Sequence, residues 1–215
     1  MRGRNNGLWL TVLCGISVFA CIPSARAAVI ALNNASFESP VCPNDGDYVT
    51  GQADGWNLGG SALGVANPTS SWFGPEAQDG NNVGYANDGC DFYQVVPGGV
   101  TFQDNITYTL SVYVGRPELG NTNGGEVRIQ IRDIVLDDPV VIQSFSIANN
   151  SEWYLCSVSY TAASGNEGHG IGIALATLSG TQLEYDNVIL TATPEPATIS
   201  LLAVGGLALL KRRRR

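Results

Sequence analysis

Aromatic rings set among glycine, serine and asparagine are the first residues of this sequence whose types could do chemistry. Trp56, Trp72, Phe73 and Tyr85 fall in the loop-rich stretch 51–87, and Trp153 opens a later apolar alternation. A planar ring exposed between polar groups can stack on a sugar face, whereas a ring enclosed by apolar neighbours serves the core. Trp56 follows Gly55 and suits a core plug. Trp72, with Ser70, Ser71 and Gly74 around it, is best placed for exposure. For the set as a whole, core packing is the favoured role. Carbohydrate binding, where it occurs, is expected at Trp72 and Tyr85.

Catalytic chemistry has few candidates. His169 is the single histidine, in Glu167-Gly168-His169-Gly170, and no serine or cysteine nucleophile motif accompanies it. No His/Cys grouping has zinc spacing. The glycines at 59, 60 and 64 are not followed by a helical pattern, so no phosphate loop is present. A pair of carboxylates for glycoside hydrolysis is left open, because separation in space is not written in the sequence. Asn44-Asp45-Gly46-Asp47 lacks EF-hand spacing and reads as a polar turn. Asp137-Asp138-Pro139 reads as a hairpin loop. The expectation is a non-enzymatic protein.

Three cysteines lie beyond the N-terminal apolar segment. Cys42 sits in Pro40-Val41-Cys42-Pro43 and Cys90 in Asn87-Asp88-Gly89-Cys90, both loop contexts. A Cys42–Cys90 disulfide is the preferred pairing, worth about 2–4 kcal/mol in an oxidising compartment. Cys156 alternates with Tyr154, Val158 and Tyr160 and reads as a buried thiol.

The elements that carry these residues are bracketed by two apolar ends. Residues 1–27 read as a signal peptide: Arg2 and Arg4, an apolar run from Leu8 to Ile22, Pro23, then Ala25-Arg26-Ala27 as the cleavage site. Residues 28–193 form the expected mature domain. There, three arginines, Arg116, Arg128 and Arg132, stand against eighteen acids, a formal −15, compared with −8 for the whole chain. Such a surface repels phosphate backbones and anionic lipid, which excludes nucleic acid as a partner. Residues 194–215 form the tail. Pro194-Glu195-Pro196 blocks helix entry, Ala197 to Leu210 is uncharged and helix-forming, and Lys211 to Arg215 closes the chain with five cations. Fourteen helical residues rise roughly 21 Å, short of a hydrocarbon core of about 30 Å.

Pro-Glu-Pro, an apolar helix and a terminal arginine cluster, in that order, resemble the PEP-CTERM sorting signal. The resemblance implies an exported protein held transiently at the inner membrane of a Gram-negative bacterium. Its implied partner is exosortase, and its implied destination the cell surface or extracellular matrix.

Between the ends, short apolar alternations are separated by Gly, Asn, Asp and Pro. Ile106 to Val114, Val127 to Ile131, Val140 to Ile147, Trp153 to Thr161, Gly170 to Leu178 and Leu183 to Thr191 are the clearest. Turn signals every ten or so residues, with no long amphipathic helix, predict an all-β antiparallel β-sandwich of the jelly-roll kind. A signal helix at the N-terminus and a single hydrophobic helix at the C-terminus are expected beside it.

Asn33-Asn34-Ala35-Ser36-Phe37-Glu38, Gly55-Trp56, Tyr108-Thr109-Leu110-Ser111-Val112 and Tyr185-Asp186-Asn187-Val188 follow in an order similar to galactose-binding-like jelly rolls of carbohydrate-binding modules. That resemblance implies a structural Ca²⁺ with Glu38 and Asp186 among its ligands. The resulting expectation is an exosortase-sorted, non-enzymatic surface or matrix protein that binds extracellular polysaccharide or serves structurally. The alternatives are a small jelly-roll lyase or hydrolase, or a calcium-dependent adhesion module.

Overall fold

The computed structural model describes residues 26–68, 76–117, 124–148, 150 and 152–195. The signal segment, the tail helix and Trp72 lie outside the described residues. Those described belong to one compact unit, Ala25–Glu195.

Twelve strands build two antiparallel sheets. In chain order they are β1 (Ala28–Ile30), β2 (Tyr48–Thr50), β3 (Asn57–Gly59), β4 (Leu63–Ala66), β5 (Val83–Asn87), β6 (Asp91–Val95), β7 (Ile106–Gly115), β8 (Gly125–Asp133), β9 (Asp138–Ile147), β10 (Tyr154–Thr161), β11 (Ile171–Ser179) and β12 (Gln182–Pro194). One sheet runs β10-β7-β12-β5-β4-β2, with β1 also paired to β12; the other runs β3-β6-β11-β8-β9. The expected all-β sandwich is therefore the observed fold. Among the described residues the only helical element is a 3-10 turn, Pro97–Gly99, and no helix is long and apolar enough to cross a membrane.

Strand alternation divides the side chains. Leu110, Val112 and Val114 of β7, Ile129 and Ile131 of β8, Ile171, Ile173 and Leu175 of β11, and Leu183 and Tyr185 of β12 are fully enclosed between the sheets. Phe37, Trp56, Phe92 and Tyr185 close one part of this core. The Phe37 and Trp56 rings stack at 5.2 Å, and Phe92 meets Tyr185 edge-on at 5.8 Å. Trp56 is thus a core residue, as its setting after Gly55 predicts.

Cys42 and Cys90 do not form the expected disulfide. Both are free, buried thiols. Cys42 Sγ is directed at the Val65 carbonyl of β4, 3.6 Å away, while Cys90 Sγ packs on Gly60, where a Cβ would collide with it. Each thiol fills its own apolar niche. Cys156 is buried as expected, and burial raises its thiol to about 11.

Candidate active site

The same alternation that fills the core places a second set of side chains on the outer face of the seven-stranded sheet. Register fixes one row across four strands: Gly64 of β4 opposite Tyr85 of β5, Tyr85 opposite Glu184 of β12, and Glu184 opposite Gly115 of β7. Directly opposed residues share a face. Glu184 therefore lies between a phenol and a glycine. A Cβ at Gly115 would lie 3.0 Å from the Trp153 ring, so the missing side chain leaves room for that indole. The indole N–H donates to the Glu76 carbonyl at 2.8 Å. Trp153 and Tyr85 pack with Ala66, Val83 and Ala77 as an apolar cluster separate from the main core.

Glu184 is completely buried here, and neither carboxyl oxygen has a hydrogen-bond partner. Burial, and then the charge of Asp186 two residues along the same face, hold its carboxyl well above the usual carboxylate range. Both influences favour its protonated form. Arg116, the residue after Gly115, is also buried with Nη1 and Nη2 unpartnered, and it is not in an ion pair with either carboxylate. Buried polar atoms without partners are rare in folded proteins, which marks the Glu184 carboxyl beside this apolar cluster as a candidate ligand contact.

Asp186 is enclosed as well, but it is anchored. Its Oδ2 accepts from the Gln78 and Asp79 amides at 2.6 and 2.9 Å, and its Oδ1 from the Asn187 amide at 2.6 Å. Burial raises its carboxyl to about 7 against these three donors. A break in register between Asp186 and Ile189, with Asn187 in the left-handed region at φ 48°, redirects the strand there. Glu38 grips the same segment farther on, accepting from the Asn81 and Asn82 amides at 2.9 and 2.8 Å.

Glu38 and Asp186 thus hold two ends of segment 78–82. They offer a hard cation oxygen donors of the right kind, but not of the right number, since among the described residues no three His, Cys, Asp or Glu side chains converge on a metal position.

Of the two rings expected to bind sugar, Tyr85 lies on this face with its hydroxyl 2.6 Å from Thr50 Oγ1. A cavity of about 290 Å³ opens beside it, lined by Tyr48, Thr50, Ser61, Tyr85, Asn87 and Gln182. Tyr85 and Gln182 both neighbour Glu184, so cavity and acid share a wall. His169 lies elsewhere. Its Nδ1 is 2.7 Å from Asp133 Oδ2, and Asp133 also accepts from the Asn166 side chain and from the Val135 and Leu136 amides. That network ties the loop before β11 to the β8–β9 turn.

Sequence reasoning missed Glu184 altogether. A polar residue alternating with Leu183 and Tyr185 reads as solvent-facing. The available signal was Glu184 and Asp186, two like charges on one strand face with no cation on that strand.

A family model for HpiC1 cyclase, HpiC1-like, matches residues 28–191. The chain belongs to the HpiC1-like family. A second model, the PEP-CTERM protein-sorting motif, matches residues 192–215. The HpiC1-like assignment overturns the expectation of a non-enzymatic protein, because the family is defined by a cyclase. That expectation rested on the absence of a nucleophile and a triad, which proton-transfer catalysis does not require. A search of curated proteins returns no match.

Among solved structures, the HpiC1-like domain is similar to an apo-form cyclase from Fischerella sp., with TM-score 0.65 and 24% identity over 79% of this chain and 97% of that one. It is similar to the Stig cyclase Fisc from Fischerella sp. TAU, solved with (3Z)-3-(1-methyl-2-pyrrolidinylidene)-3H-indole, with TM-score 0.65 and 23% identity over 79% and 99%. It also resembles TmCBM61 in complex with β-1,4-galactotriose, with TM-score 0.50 and 16% identity over 74% and 95%. These likenesses show a shared jelly-roll fold. The tail marks a protein exported and sorted through exosortase in Gram-negative bacteria.

Proposed function

We propose that this protein is an exported cyclase that closes a carbon ring by proton transfer, with Glu184 as the acid. The observation that carries the reading is the fully buried, unpartnered Glu184 carboxyl between Tyr85 and the Trp153–Gly115 contact. The substrate class is an electron-rich, unsaturated aromatic molecule of indole type. Membership of the HpiC1-like family and the indole ligand of the Fischerella protein support that class.

Glu184 Oε–H gives its proton to a carbon of a substrate double bond. The π electrons of a second double bond then attack the resulting cation and form the ring bond. Loss of a neighbouring C–H proton to the Glu184 carboxylate restores the acid. The product is an isomer of the substrate, so no oxidant or reductant is needed. The Tyr85 and Trp153 rings offer π faces to the cation. The apolar surroundings keep water from intercepting the cation. The test is incubation of the purified protein with 3-alkenyl indoles. An isomeric cyclised product that is lost in Glu184→Gln supports the reading, and equal turnover by the two proteins sinks it.

The working place in this reading is the cell surface or extracellular matrix. Sugar binding at Tyr85 is a subordinate proposal: the fold shared with a galactotriose-binding module and the cavity beside Tyr85 favour it. Structural Ca²⁺ near Glu38 and Asp186 is likewise a proposal. It is favoured by the nearness of Asp79 to buried Asp186, with no cationic side chain pairing either one among the described residues. A rise in melting temperature in millimolar Ca²⁺ supports the ion. An unchanged melt in Ca²⁺ and in chelator leaves both carboxylates as amide clamps alone.

A further inference from the structure

The outer face of the five-stranded sheet carries a trough unconnected with the Glu184 row. Its floor is β11, where register places Ala174 between Gln130 and Tyr93, and Ala176 between Arg128 and Asp91. Small floor residues between longer neighbours leave a groove of about 400 Å³. One wall is Arg128, Gln130 and Arg132 of β8; the other is Asp91 and Tyr93 of β6. Two of the three arginines between residues 28 and 193 stand here, in a segment that carries eighteen acids.

The two arginines differ. Arg132 is committed: its Nη2 donates to the Asp137 carbonyl and carboxylate at 3.0 and 3.2 Å, and its Nη1 to Gln130 Oε1 at 3.1 Å. Arg128 makes no ion pair among the described residues, and its Nε is buried without a partner. One guanidinium therefore remains for one carboxylate, which it can take in the two-pronged geometry that favours arginine. Tyr93 supplies a ring, and Asp91 accepts from hydroxyl groups. The surrounding charge repels a polyanion.

We propose that this trough is a second binding site, for a largely neutral polysaccharide carrying isolated uronate residues, with Arg128 as the carboxylate-binding group. It is independent of the cyclase reading. The test is titration of the full chain, in detergent at 0.15 M salt without calcium, with three probes. These are xylan bearing isolated glucuronate branches, unbranched xylan, and polygalacturonate.

Binding is expected to the branched xylan, and at least about tenfold weaker binding to the other two. Arg128→Gln and Ala176→Leu, which fills the floor on a face outside the core, are each expected to weaken the branched xylan about tenfold. Glu184→Gln is expected to bind as wild type. A circular-dichroism melt unchanged by Ala176→Leu or Arg128→Gln confirms that the loss is local. No binding of branched xylan by wild type overturns the proposal, as does binding of either other probe as tightly as the branched xylan, or retention by both trough variants.

Discussion

Trp153 packs on Gly115, and Gly115 is the register partner of Glu184. An indole therefore stands one strand away from a carboxyl that has no hydrogen-bond partner. A ring over a glycine floor can accept a flat ligand, and an acid beside it whose ionisation burial opposes can protonate that ligand.

Replacing the acid separates catalysis from stability. Glu184→Gln keeps the shape but cannot donate a proton as readily, so cyclisation should fall by about 10²–10⁴-fold. At pH 7.5 the same variant should melt higher than wild type, because a buried carboxyl whose ionisation is opposed in the fold costs stability there. Each kcal/mol recovered is worth about 2–4 °C for a domain of this size. Parallel thermal melts and product assays check both halves.

The pH profile of stability follows from the directions of the shifts. Glu184 and Asp186 are raised in the fold, the latter to about 7. The folded state then binds more protons than the unfolded one, so stability falls as pH climbs from about 4 through 7. Asp133 behaves oppositely. Burial pushes it up, but donors from Asn166, His169, Leu136 and Val135 outweigh that and hold it down at about 2. Its contribution is lost as pH falls from the ordinary value of 3.8 toward 2. Chemical denaturation from pH 2 to 9 should give a maximum near pH 4–5. Asp186→Asn should flatten the alkaline limb, and Asp133→Asn the acid limb.

Trp153→Ala removes a ring held by one hydrogen bond at the margin of a small cluster. Substrate capture, read as kcat/KM, should drop about tenfold or more. The melting temperature should change far less than for Phe92→Ala, which opens a cavity in the core and costs about 3–5 kcal/mol.

The thiols give a chemical check of the fold. Native protein should react slowly with a thiol reagent at pH 7.5, and denatured, unreduced protein should be alkylated at Cys42, Cys90 and Cys156. Peptide mapping that recovers Cys42 linked to Cys90 would contradict the separate thiol niches.

Much of the sandwich is legible in the sequence because long strands alternate cleanly. Ile106 to Val114 and Leu183 to Thr191 carry their faces in their residue types. The strands Tyr48–Thr50 and Leu63–Ala66 escape notice, since three or four residues show no period and Gly64 weakens the second. The site is harder to read than the fold. Gly64 and Gly115 look like ordinary breaks until register sets them in one row with Tyr85 and Glu184. Burial of Glu184 depends on what covers an outer face, which alternation along its own strand does not encode. Cys42 and Cys90 are misread for a related reason: turn chemistry locates them in loops but does not say which way each side chain points.

The central claim is that Glu184 keeps its proton well above the pH at which an ordinary glutamate loses it, and it can be measured without knowing the substrate. Carbon-13 labelling of glutamate carboxyls, followed by NMR from pH 4 to 9 and assigned with Glu184→Gln, reads that protonation directly. The account predicts one glutamate resonance that stays at its protonated position after the exposed glutamates have ionised. A Glu184 signal that moves to the ionised position by about pH 5, with its ordinary exposed counterparts, would contradict it.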